Sequence, residues 1–197
     1  LAYQRVPYAL LYGVRGDGQL VVHPNTRLEM KGFARTQLGG GAQALSAVSV
    51  VGADGTTDEL WLLVRRGALY EIWKQAAWRD LGAAQDQAFY VDCGTQVSAT
   101  AGQTRFTGFT HLAGQAVAVL AGGGVIPNIT VASDGSIDLP EAAIPAGAYT
   151  VTIGLPYTAE AVTLRPNVDT RAGPSMGLLA RVRKTVLRVL ETIAIKA

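Results

Sequence analysis

The sequence predicts a mainly β protein, built from an antiparallel meander sheet close to one propeller blade in length and a small antiparallel β-barrel. Three observations carry that reading. Residues 108–157 alternate brief apolar runs with turn residues so regularly that they form a complete unit. Aspartate precedes glycine at Asp17, Asp54 and Asp134, as hairpin turns demand. The alanine- and glutamine-rich stretch 74–88 sustains no helical period and reads as a linker.

In chain order, residues 8–14 read as a strand, Gly16, Asp17 and Gly18 as a tight turn, and residues 20–23 as the returning strand. Pro24 and Asn25 turn the chain into a third strand over 27–36, where Leu28 and Met30 face one side and Arg27, Glu29 and Lys31 the other. Gly39, Gly40 and Gly41 break the chain before 44–51, which is apolar enough for a central strand. A loop over 52–58 leads to the strand 60–65, and Gly67 turns it into 69–73. Short turns between adjacent strands make a meander, so residues 1–87 are assigned to a sheet domain.

Residues 88–157 are assigned to the barrel module, with a polar, threonine-rich strand and loop over 95–107 leading into it. Its first clear strand, 116–120, is ended by Gly122, Gly123 and Gly124. Ile129 and Val131 alternate with Asn128 and Thr130, and a turn over 133–136 folds that strand back onto Ile137 and Leu139 until Pro140 stops it. After a loop holding Pro145 and Gly147, Tyr149, Val151 and Ile153 face one side while Thr150 and Thr152 face the other. Four strands this short must curl together to bury an inner face. Residues 158–197 form a return segment, with 161–164 extended and Pro166, Gly173 and Pro174 marking a loop. Beyond Met176 two patterns compete: Leu178, Leu179, Val182, Val186, Val189 and Ile193 sit at helical spacing, while the β-branched run 185–195 suits a strand.

Composition narrows the function. At 49% hydrophobic and 16% charged residues the chain can bury a core, and a formal charge of +2 gives it no global basic field. Cys93 is the one cysteine, which excludes a disulfide scaffold and fits assembly in a cytoplasm. No apolar run reaches the roughly 18 residues of a membrane helix, so no membrane partner is expected. The start at Leu1, without methionine, and the end at Ala197 in an apolar-rich segment read as a piece of a longer protein.

Candidate chemistry is thin. Cys93 and His111 would supply a thiol and a base, but no third orienting group stands at a telling position, and a lone cysteine beside a strand is ordinarily a small buried hydrophobe. Two histidines and one cysteine fall short of a tetrahedral zinc site. Asp54, Asp58 and Glu59 could face a calcium ion, yet the loop lacks a full ligand run and turn chemistry explains it. Arg15, Gly16 and Asp17 spell an adhesion tripeptide but close a hairpin, and residues 122–124 lack the lysine and hydroxyl residue of a phosphate loop. No catalytic residue, cofactor or metal is assigned. Basic residues gather late in the chain at Arg165, Arg171, Arg181, Arg183, Lys184 and Arg188; facing a channel they would meet DNA phosphates without reading sequence, and otherwise they form a solvated face or pair across subunits. Trp61, Trp73 and Trp78 serve a core or an interface, the alternative being a sugar-stacking platform.

The order carried by Thr110, His111, Leu112, Gly114, Ile137, Leu139, Pro140, Gly154, Leu155, Pro156 and Tyr157 resembles the barrel module of the tail nozzle proteins of short-tailed bacteriophages and prophages, the tail tubular protein B-like or packaged DNA stabilisation-like proteins. That module is likened in shape, not activity, to the small barrel of ubiquitin-activating enzymes. Pro7, Tyr8, Arg15, Asp17, Gly18 and Leu20 are similar to a second family pattern, and Val64, Arg65, Arg66, Tyr70 and Glu71 to a third, whose turn is shortened here to residues 67–69. Residues 88–94 resemble the family's approach to the barrel, with Cys93 in place of its serine.

The resemblance implies a short helix to about Lys184, then a strand rejoining the first sheet, so that the barrel is an insertion. It also implies a structural component of the virion tail and no enzyme: a subunit that self-associates into a hexameric ring below the tail adaptor protein, assembled in the bacterial host cytoplasm and forming part of the DNA exit channel. The alternative is a glycan- or receptor-binding β module of a phage tail or cell surface.

Overall fold

The computed structural model describes residues 1–25, 32–78, 84–160, 162, 169–170, 173–174, 186 and 188. The chain divides into two compact units, residues 1–157 and 158–197. The protein is mainly β, with several antiparallel sheets.

The first seven strands make two meanders where one was expected. β1 (Ala2–Gln4), β2 (Leu10–Val14), β3 (Leu20–Pro24) and β4 (Ala34–Thr36) lie side by side in chain order. β5 (Gln43–Val51), β6 (Asp58–Arg66) and β7 (Leu69–Lys74) form a second sheet of three. The break falls at the turn Gly39–Gly41, where Gly40 and Gly41 adopt positive φ. Between the sheets lies one core of Ala2, Leu10, Tyr12, Leu20, Leu38, Ala44, Leu60, Leu62 and Val64, with Trp73 packed against it. β1 escaped the sequence reading because three residues are too few to show a period; it pairs with the neighbouring β2, Gln4 opposite Leu10. The third strand is shorter than expected, and residues 26–31, with Leu28 and Met30, lie outside the described residues.

Polar contacts lock these two layers. The Gly18 carbonyl accepts the Ala44 amide at 2.8 Å, and a Cβ on Gly18 would fall 2.6 Å from Gln43 Cβ, so only glycine brings the hairpin turn that close. Gln4 is buried and satisfied: its Nε2 donates to the Asp58 carbonyl at 2.7 Å and to Gln75 Oε1 at 3.2 Å, while its Oε1 accepts from Tyr12 Oη at 3.2 Å. A buried amide costs stability unless such partners are present.

The barrel module, residues 88–157, is a four-stranded sheet in the order β11-β10-β13-β8 and a two-stranded one, β12–β9, and among the described residues these strands do not close into a complete barrel. Its strands are β8 (Asp92–Ala99), β9 (Arg105–Phe106), β10 (Ala116–Ala121), β11 (Gly124–Thr130), β12 (Ile137–Asp138) and β13 (Tyr149–Leu155). Phe106, Phe109, Leu112, Val117, Val119, Val131, Ile137, Leu139, Val151 and Ile153 fill its core. Gly122 and Gly123, both at positive φ, make the two-residue β10–β11 turn, whose twist suits a hairpin. The turn at 133–136 forms as expected, with Ser136 Oγ and the Ser136 amide both donating to Asp134 Oδ1. Its consequence differs, however: Ile137 pairs with Phe106, not with the 129–131 strand. Pro127 explains the shape of β11. Without an N–H it belongs on an edge or at a bulge, and here it has both, since the register slips between Val117 and Val119 and Asn128 takes φ +59°.

In residues 158–197, β14 (Asp169–Thr170) pairs antiparallel with β15 (Gly173–Pro174) where a loop was expected around 173–174. The extended stretch 161–164 and the helix and strand anticipated after Met176 lie outside the described residues, apart from Val162, Val186 and Arg188, which are exposed and in no regular element.

Candidate functional site

Several residues singled out by motif, Arg66, Glu71, Cys93 and His111 among them, converge where the β5–β7 sheet meets the barrel module. Period-two burial along β6 turns Leu60, Leu62, Val64 and Arg66 inward, so the strand that supplies three core residues ends by burying an arginine, 9% exposed. Its guanidinium grips Glu71 of β7 with two hydrogen bonds, Nε to Oε2 at 3.2 Å and Nη2 to Oε1 at 2.5 Å. Nη2 also donates to the His111 carbonyl at 2.9 Å, which reaches across to the barrel's turn Thr110–Leu112. Planar two-point pairing is what arginine does better than lysine. Trp73 Nε1 donates to Glu71 Oε2 at 2.9 Å, and the Cys93 thiol lies 4.0 Å from the same oxygen.

A second set of contacts closes the junction. Asp92 Oδ2 accepts the Gly39 amide at 2.6 Å, and a Cβ on Gly40 would meet Leu155 Cδ1 at 2.8 Å. Within the barrel module, behind this contact, Gly94 and Gly154 face each other beneath Val91: a Cβ on either would lie 2.6 Å from Val91 Cγ2. Both glycines are required by this close approach.

Burial raises the Glu71 carboxyl, but hydrogen bonds from Arg66 and Trp73 and the nearby Arg66 charge together outweigh it and hold the group below the usual carboxylate range. Asp92 has burial against one backbone hydrogen bond from Gly39, and burial wins, so its carboxyl is raised. Burial, then the Glu71 charge, pushes the Cys93 thiol up. No protein-family model matches the chain, and no curated protein matches it.

Cys93 and His111 do come together, though not as thiol and base. His111 Nε2 lies 3.3 Å from the Cys93 carbonyl, while the thiol faces a carboxylate that disfavours a thiolate. The Asp54 carboxylate is occupied by the Thr56 hydroxyl and by the Thr56 and Thr57 amides at 3.0 and 3.4 Å. Asp58 Oδ2 is turned instead onto the Arg5 and Val6 amides, at 2.6 and 3.2 Å. Arg15 and Asp17 pair with each other at 2.9 Å, folding the adhesion-like tripeptide onto itself. Beside that turn lies a shallow groove of about 460 Å³ bordered by Gln43, Leu45 and Arg65.

Of the three tryptophans of the sugar-stacking alternative, Trp61 and Trp73 occupy opposite faces of one sheet, and Trp78 stands edge-on to Tyr8. Trp73 packs on the core, while Trp61 lies half-buried on the outer face with Nε1 donating to Glu59 at 3.1 Å and Lys74 Nζ 5.6 Å from its ring centre. Of the six basic residues nominated for a channel or interface, Arg165, Arg171, Arg181, Arg183 and Lys184 lie outside the described residues, and Arg188 is exposed.

The sequence reading missed the outer face of β5–β7. Cross-strand rows place Ser46, Leu63 and Ile72 together, Val48 beside Trp61, and Val50 beside Glu59, leaving Val48, Val50, Leu63, Tyr70 and Ile72 exposed. The pattern hid it: 60–64 is apolar at odd and even positions alike, as in a strand covered on both faces.

Proposed function

We propose that this chain is a structural packing module, part of a tail nozzle ring that conducts DNA below the tail adaptor. The observation that carries the packing role is the apolar outer face of β5–β7. Contiguous exposed apolar patches of this kind mark protein–protein contacts, and Val48 at 52% and Ile72 at 73% exposure are large hydrophobes with nothing over them among the described residues. The assignment of that role to a nozzle rests on the sequence resemblance, whose residues Arg66, Glu71, His111, Gly154 and Leu155 cluster at the junction. A junction fixed by a two-point ion pair and glycine-tight backbone contacts holds residues 1–157 as a unit able to present fixed faces to neighbours. Head-to-tail contact between two different faces of each subunit then closes a ring.

Electron microscopy of the full-length protein, with and without its adaptor, tests the reading. Rings of uniform size with a lumen wide enough for duplex DNA are expected. A monodisperse single chain at high concentration with adaptor present overturns it.

A further inference from the structure

We infer that β7 is a pairing edge for a second copy of this chain, the two strands running antiparallel about a two-fold axis at Ile72. β7 pairs with β6 on one side only, and among the described residues no strand pairs with its other side. The hairpin at Gly67 and Ala68 sets which groups are left over. The Gln75 amide donates to the Leu60 carbonyl at 2.8 Å, so in this register Leu69, Glu71 and Trp73 bond to β6, and the amides and carbonyls of Tyr70, Ile72 and Lys74 point outward. Tyr70 and Ile72 are also among the most exposed apolar side chains, at 67% and 73%. Soluble proteins blunt such an edge with proline, a bulge or inward charge. β7 has no proline and no bulge, its pairing with β6 is regular, and its one inward charge, Glu71, is already neutralised by Arg66.

The occupant follows from complementarity. With Ile72 opposite Ile72 of the second copy, Tyr70 meets Lys74 of the second copy, and the reverse. The Lys74 charge is already answered by Glu59 at 2.6 Å, so its stem and ammonium can lie along an aromatic ring as they do over Trp61. The three outward pairs make about six backbone hydrogen bonds. Sliding the strands one way sets Glu71 opposite Glu71, like charges face to face, and sliding them the other way shortens the ladder. Ladder length and the Glu71 charge together therefore favour the register centred on Ile72. A two-fold contact cannot be the head-to-tail contact that closes a ring of identical subunits, so this interface goes beyond the ring reading and stands or falls without it.

Sedimentation velocity on the full chain over a range of concentrations tests the pairing, with Ile72→Pro as the blocking variant. That amide points away from β6, so proline leaves the β6 ladder intact and removes a central donor of the new one. The wild-type chain is expected to pair, and Ile72→Pro to sediment as a single chain with an unchanged circular dichroism spectrum. If the proline variant misfolds, a cysteine pair decides: in a Cys93→Ser background, Ile72→Cys should cross-link to its counterpart on mild oxidation and Val48→Cys should not. Pairing that survives a folded Ile72→Pro, equal cross-linking at both positions, or a wild-type chain that stays single at every concentration overturns the inference. Rings seen by microscopy while β7 stays unpaired would sink it and leave the ring reading standing.

Discussion

Replacing Arg66 with methionine keeps the apolar stem and removes a guanidinium that bonds to both the sheet and the barrel module. Three hydrogen bonds go with it, two to Glu71 and one to the His111 carbonyl. Glu71 is left as a half-buried carboxylate with only Trp73 Nε1 as a strong donor, because the Cys93 thiol at 4.0 Å is a weak one. Removing one partner of a buried pair costs about 3–5 kcal/mol, and the solvent that still reaches Glu71 puts this case near 3 kcal/mol. In a unit of 157 residues that corresponds to a fall in melting temperature of roughly 6–12 °C. Calorimetry at neutral pH measures it, and a double-mutant cycle isolates the pair. Glu71→Leu alone should cost a similar amount, whereas Arg66→Met with Glu71→Leu should recover most of the loss, since two matched apolar side chains leave no charge stranded. Because Glu71 is held below its unfolded value, the pair contributes fully at neutral pH. The contribution is lost as pH falls through the lowered value, so the gap between wild type and Arg66→Met must close in acid. Single variants that each cost under about 1 kcal/mol and simply add would refute the assignment of the junction to this pair.

Asp92→Asn should hold or raise stability at neutral pH, because an amide oxygen can still accept the Gly39 proton without burying a charge. Since burial raises Asp92, its contribution to wild-type stability falls as pH rises through the raised value, and that slope should vanish in the variant's pH-resolved melting curves. Gly18→Ala should destabilise by about 2 kcal/mol or more, because it adds a collision with Gln43 Cβ to the strain of φ +81°. Gly102→Ala, at φ +72° with open space around it, should cost only the strain of about 1 kcal/mol by urea titration. Tyr12→Phe removes the hydroxyl that donates to Gln4 and accepts from Gln75, at an expected cost of about 1–2 kcal/mol in the same titration.

How much of this was legible in the sequence depends on the range over which each feature is determined. The turns at Gly18, Gly67 and Gly135 are local, fixed by a glycine that takes positive φ, and each stands where the sequence places it. Strand partners are not local. The turn at 133–136 forms as read, but the partner of Ile137 is Phe106, far upstream, and no dipeptide announces that choice. The same limit split the expected meander in two: the break lies in residues 37–42, yet what fixes the second sheet's placement is the Gly18–Ala44 bond and the Gln4, Tyr12 and Gln75 network.

The junction shows why the candidate site was half visible. Arg66, Glu71, Cys93, His111 and Gly154 each drew notice, but as separate signs, because the residues that join them are poor sequence signals. Gly39 and Gly40 read as a flexible break, whereas the structure uses them for lack of a Cβ against Leu155. Asp92 read as part of a motif, whereas its work is to accept one amide across the junction. Pattern also misleads about β6: apolar residues on both its faces suit a strand covered on both sides, yet the outer one is exposed. Leu63 and its neighbours Val48 and Ile72 thus carry the patterning of a covered sheet without the cover, which is the physical reason to look for this protein's work in what it packs against.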